Sequence, residues 1–145
     1  MISAFSSAEV SEITGITQRQ LAYWDSVGLV KPSIRPASGR GSRRLYSVRD
    51  LVELKIIIRL LGNSLTLQRV RSSLQFIKAL PEPLEGLIIL TDGETIYLYK
   101  DKDLVLDALK QGQIVFRIVV EDLIAEVERK IDEVITPKMA GSLAA

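Results

Sequence analysis

At about one domain per 150 residues, the 145 residues make one compact unit or two small ones, and 47% hydrophobic with 26% charged residues is the balance of a globular chain. Cysteine and histidine are both absent, which excludes disulfides, thiolate or imidazole metal centres, cysteine nucleophiles and histidine acid–base catalysis. The net charge of +1 hides an asymmetry: residues 1–80 carry twelve Lys/Arg against five acids, a net +7, whereas 81–145 carry seven against thirteen, a net −6. Only the first half is therefore expected to meet a polyanion. No apolar run nears the roughly 18–20 residues of a membrane span, and Met1–Gly15 lacks the pattern of a secretory signal. A cytoplasmic chain without membrane contact, cofactor or metal is the expectation.

The first half is punctuated by helix signals. Ser6-Ser7-Ala8-Glu9 reads as a capping box, Val10 and Ile13 share a face, and Gly15 stops the helix. Thr17-Gln18-Arg19-Gln20 repeats the pattern, with Leu21, Trp24 and Val27 turned inward and Gly28 closing. Two short helices joined by a Gly-containing turn make a helix-turn-helix. Val30-Lys31-Pro32 is extended, and Ser33–Ser42, rich in Pro, Gly, Ser and Arg, followed by Arg43-Arg44-Leu45-Tyr46, reads as a β-hairpin wing with Arg40 at its tip. Ser47-Val48-Arg49-Asp50 opens a third helix to about Leu61, with Leu51, Leu54, Ile58 and Leu61 on one stripe and Val52 and Ile56 beside it. Thr66 caps a fourth to about Leu80, carrying Leu67, Val70, Leu74 and Ile77 inward. Pro81-Glu82-Pro83 then interrupts any helix. The domain boundary is expected there, giving domains 1–80 and 81–145.

Phe5–Val10, Thr14-Gly15-Ile16-Thr17, Leu21-Ala22-Tyr23-Trp24-Asp25, Gly28-Leu29-Val30-Lys31-Pro32 and Arg44-Leu45-Tyr46-Ser47 together resemble the MerR family of transcriptional regulators, over about residues 5–77. The resemblance implies a winged helix-turn-helix head and a homodimer on a near-palindromic promoter site. It also implies distortion of the DNA between half-sites, so that RNA polymerase can engage an over-long spacer. One departure matters: the family usually carries a DNA-contacting Arg where this chain has Ala22.

The physical roles follow from the residues themselves. The first turn of a recognition helix presents Thr17, Gln18 and Arg19 to a major groove of double-stranded DNA, where Arg pairs with guanine and Gln with adenine. Tyr23 suits a phosphate better than a base. Trp24 on the inner face reads as core. Arg40, Arg43, Arg44 and Tyr46 form a wing that holds adjacent phosphates and fixes register. Arg69 and Arg71 read as solvated helix surface.

The acidic half reads as a small α+β domain, so the fold class expected is α+β: four helices with a β wing, then strands ending in a helix. Leu87–Thr91, Asp92-Gly93 and Glu94–Tyr99 read as a hairpin with a type I′ turn. Asp103–Gln111 reads as a short helix and Gln113–Val119 as a strand. A terminal helix from about Glu121 to Ile135 places Val120, Ile124, Val127, Ile131 and Val134 at heptad-like spacing. These five are the dimerisation candidates, packing on the chain's own sheet being the alternative. The tail Pro137–Ala145 is expected to fray. A small apolar effector near Tyr97, Tyr99 and Phe116 is a further reading, against core packing of the same aromatics. Asp101, Asp103 and Asp107 are the one notable acidic cluster, and helix-start Asp is usually a cap rather than a metal ligand. The leading expectation is a sequence-specific homodimeric regulator and not an enzyme. The alternative is an architectural or recruiting DNA-binding module, such as an autoregulated antitoxin or recombination accessory, without effector sensing.

Overall fold

In the computed structural model, residues 4–37, 43–80, 84–100 and 114–144 are described, the last seven of these as backbone alone. The expected features at Arg40, Pro81–Pro83 and Asp103–Gln111 lie outside them. The first helix, α1 (Ser7–Thr14), starts at a reciprocal capping box. Ser6 N–H donates to Glu9 Oε1 at 3.0 Å, and Glu9 N–H donates to Ser6 Oγ at 3.2 Å. Thr14 turns its hydroxyl onto the Val10 carbonyl at 2.7 Å and accepts from Ile16 N–H at 3.2 Å, which shapes the turn that follows. Gly15, at φ +81, takes the left-handed position.

Helix α2 (Gln18–Ser26) is capped by the Thr17 hydroxyl, which accepts from Gln20 N–H at 3.1 Å. It ends in a Schellman motif: Leu29 N–H reaches the Trp24 carbonyl at 2.9 Å and Gly28 N–H the Asp25 carbonyl at 3.1 Å. Gly28 sits at φ +74 with nothing within 4 Å of where a Cβ would stand. The penalty for a side chain there is conformational rather than steric. Gly28→Ala is expected to cost about 1–2 kcal/mol, read as a lower urea midpoint with an unchanged slope, and Gly28→Asn less.

Strand β1 (Phe5–Ser6) pairs antiparallel with β2 (Leu45–Tyr46), Phe5 opposite Tyr46. The expected wing contributes β2 as its returning limb, bridged to Arg35 through Leu45; its tip lies outside the described residues. Helix α3 (Val48–Leu61) opens on a second reciprocal box, Ser47 N–H to Asp50 Oδ2 at 2.8 Å and Asp50 N–H to Ser47 Oγ at 3.0 Å. Its buried set is wider than the stripe expected: Leu51, Val52, Leu54, Ile56, Ile57 and Leu60 are all enclosed, while Ile58 and Leu61 are half-exposed. Helix α4 (Leu67–Ala79), capped by Thr66, buries Val70, Leu74 and Ile77 and leaves Leu67 half-exposed.

A three-stranded antiparallel sheet follows, with β3 (Ile88–Thr91) between β4 (Ile96–Tyr99) and β5 (Phe116–Val119). All four residues of β3 are buried, as befits a central strand covered on both faces. The β3–β4 register pairs Thr91 with Ile96, so the loop is Asp92–Thr95 and not the two-residue type I′ turn expected. A type I′ turn needs positive φ at both central residues, and here only Gly93 has it. The Asp92 carboxylate instead accepts from Thr95 N–H at 2.7 Å and Glu94 N–H at 2.9 Å, an Asx arrangement. Those two amides, Thr95 first, hold the Asp92 carboxyl below its usual range. Tyr97, Tyr99 and Ile114 pack against Ile88 and Leu90, with the two tyrosine rings 6.5 Å apart. The tyrosines serve there as packing.

The last helix, α5 (Val120–Ala144), runs nine residues past the expected end at Ile135, through Pro137. The expectation of a frayed tail is corrected: proline removes a single N–H from the ladder, and Lys138, Met139 and Ala140 are good helix formers that carry the helix onward. Val120, Leu123, Val127 and Ile135 are buried within the single chain; Ile124, Ile131 and Val134 are half-exposed.

The chain divides into two compact units, Met1–Leu54 with Ala125–Ala145, and Lys55–Ile124. These limits fall within α3 and α5. Among the described residues, no helix is long and apolar enough to cross a membrane.

Candidate nucleic-acid interface

Helix α2 separates its faces cleanly. Leu21, Trp24 and Asp25 are buried, whereas Gln18, Arg19, Tyr23 and Ser26 are exposed, with Ala22 intermediate among them. At about 100° per residue these outward positions span an arc of about 140°, the width one groove-facing surface needs. Gln18 and Arg19 occupy the first turn, where free N–H groups and the helix dipole favour anions. Tyr23, 52% exposed, projects a turn further on. Trp24 is core, as its inner position implied.

The basic segment reaches α2 through a carboxylate. Arg44 Nε donates to Asp25 Oδ2 at 2.8 Å, and Lys31 Nζ lies 3.4 Å from Oδ1 while also donating to the Asp25 carbonyl at 3.1 Å. Arg35 Nε donates to the Arg43 carbonyl at 2.9 Å, closing the base of the wing segment. Ser33 fastens its start to α3, giving its N–H at 2.9 Å and its hydroxyl at 2.7 Å to Asp50 Oδ2. A cleft of about 350 Å³ is lined by Ser6, Ser7, Ala8, Gln18, Arg43 and Arg44. Three of the expected contacts, Gln18, Arg43 and Arg44, therefore share one concavity, and Arg19 and Tyr23 stand on the outer face of α2.

Tyr46 does not belong with them. Expected as a wing contact, it is wholly buried, 0% exposed, opposite Phe5 in the strand pair. Alternation explains the reversal: β2 turns Tyr46 inward and its neighbours outward. Burial pushes its hydroxyl up to about 12. That hydroxyl has no hydrogen-bond partner of good geometry among the described residues, although the Ser7 hydroxyl is close enough to favour its ionised form slightly. Arg40 lies outside the described residues.

Sequence reasoning passed over Asp25 and Asp50 as site residues. Each left a signal: Asp25 follows Trp24 on the inward face of α2, and an acid there demands a cation. Asp50 read only as a helix cap, with nothing to link it to Ser33.

Two short helices with a glycine turn, an exposed second-helix face and arginines fastened beside it define a helix-turn-helix protein of the nucleic-acid-binding class. Residues 5–77, half of the chain, match the family model described as MerR HTH family regulatory protein, and the chain belongs to that family. It is 40% identical over 116 residues to uncharacterized HTH-type transcriptional regulators from Mycobacterium bovis and from two strains of Mycobacterium tuberculosis, covering 79% of this chain and 52% of each relative. The chain thus spans about half the length of these relatives.

Proposed function

We propose that the protein is a transcriptional regulator that binds double-stranded DNA as a homodimer at a near-palindromic promoter site, distorting the duplex so that RNA polymerase can engage it. The observation that carries this reading is the outward face of α2, with Gln18 and Arg19 in its first turn, next to Arg43 and Arg44 in a MerR-type head. Gln18 and Arg19 read base edges, Thr17 caps the helix that presents them, and Tyr23, Arg43 and Arg44 take phosphates. Residues 1–80 act as the DNA-binding domain and 81–145 as the dimerisation or regulatory part.

The dimer seam falls on Ile124, Ile131 and Val134, the half-exposed members of the heptad-like set. Val120 and Val127 are already enclosed by their own chain and serve that packing instead.

Binding measured across salt tests the assignment. Arg43→Ala is expected to weaken binding to every duplex and to lower the salt slope by about 1. Arg19→Ala is expected to lose about 1–3 kcal/mol at one base position and relax the preference there. Equal affinity of both variants and the parent for the selected site contradicts these roles.

A further inference from the structure

Asp25 carries an acid into the part of the molecule that the DNA reading assigns to a polyanion. Its residue is 8% exposed, on the inner side of α2. Of its two cations, the Lys31 side chain is largely in water at 65% exposure, while that of Arg44 is 30% exposed and bonds at the shorter distance, 2.8 Å. The bond uses Nε, the inner nitrogen of the guanidinium, and the same arginine lines the cleft with Gln18, Arg43 and the first turn of α1. An unrestrained arginine must give up rotamer freedom to meet a phosphate; one already fixed by a carboxylate gives up less.

We propose that Asp25 is a positioning residue for DNA binding: by pairing with Arg44 it fixes that guanidinium at the cleft between Gln18 and the start of α1, where Arg44 and Arg43 meet one backbone phosphodiester. This inference rests on the DNA reading above. Charge and geometry make opposite forecasts for it. As bare charge, Asp25 repels DNA, and its neutralisation tightens binding and steepens the salt dependence. As a positioning residue it works through Arg44, and its neutralisation loosens binding.

The test is a double-mutant cycle by fluorescence anisotropy on duplex DNA across salt. Asp25→Asn is expected to weaken binding to all duplexes about tenfold and to lower the salt slope by about 1, as Arg44→Ala does. The double variant is expected to be no weaker than Arg44→Ala alone, since both remove one contact. Arg44→Lys, which keeps the charge but lacks the planar guanidinium, is expected to bind like Asp25→Asn and not like the parent. Circular dichroism melts report folding, and should Asp25→Asn unfold, Arg44→Lys carries the test. A parent that binds DNA while Asp25→Asn binds equally or more tightly overturns this inference alone, as do strictly additive losses. A parent that binds no duplex overturns the DNA reading and this inference with it.

Discussion

Asp50→Ala is expected to lower the unfolding free energy by about 2–4 kcal/mol, since hydrogen bonds to a charged group contribute about 1.5–3 kcal/mol each and several share one acceptor here. Asp50 is 5% exposed, and its Oδ2 accepts from Ser33 N–H, Ser33 Oγ and Ser47 N–H at 2.7–2.9 Å. Alanine strands both backbone donors and deletes half of the α3 capping box at once. The wing segment also loses its tie to α3, so DNA binding should weaken even where the variant remains folded. Asp50→Asn keeps an oxygen for the donors and loses only charge assistance, so its loss should be clearly smaller. Urea unfolding of the three proteins checks the order; equal midpoints for Asp50→Ala and the parent would mean the buried carboxylate holds nothing.

The second large effect lies under the outward face of α2. Leu21 is 1% exposed, and Leu21→Ala removes buried methyl groups and leaves a cavity, a change that costs about 2–5 kcal/mol. Tyr23, two residues on, is mostly in water, and Tyr23→Ala should shift stability by no more than about 0.5 kcal/mol while weakening DNA binding. The pair separates support from contact on a single helix. Chemical denaturation should show a much lower midpoint for Leu21→Ala alone, and binding at low temperature should show the defect for Tyr23→Ala. A Tyr23→Ala protein as stable as the parent and equally tight on DNA would remove Tyr23 from the interface.

The helices of the first half were legible because their ends are chemical. Ser6, Thr17, Ser47 and Thr66 each accept from a backbone N–H at the helix start, and Gly15 and Gly28 take the left-handed positions that stop α1 and α2. Local signals of this kind need no knowledge of tertiary contacts. The outward placement of Gln18, Arg19 and Tyr23 followed from helical period once Leu21 and Trp24 were assigned to the core.

What stayed hidden depends on partners distant in sequence. Asp25 finds Arg44 nineteen residues later and Asp50 finds Ser33 seventeen earlier, separations that no periodicity encodes. Tyr46 was misplaced because a basic, aromatic segment suggests a surface, whereas strand alternation opposite Phe5 buries it. The Asp92-Gly93 turn was misread because side-chain capping by Asp92 competes with the two-residue turn that the dipeptide favours. In α5, the heptad-like spacing marks an apolar stripe but carries no information on which of its members, here Val120 and Val127, are covered by their own chain.

Sequence-specific binding as a dimer is tested by selecting genomic fragments with the purified protein at near-physiological salt and sequencing the bound DNA. A dimeric sequence reader should recover a recurrent inverted repeat within promoters, its preference relaxed at one position by Arg19→Ala. Salt-sensitive binding with no recurrent sequence would contradict a sequence-specific regulator and favour an architectural role, with Ala22 the place where base reading was given up.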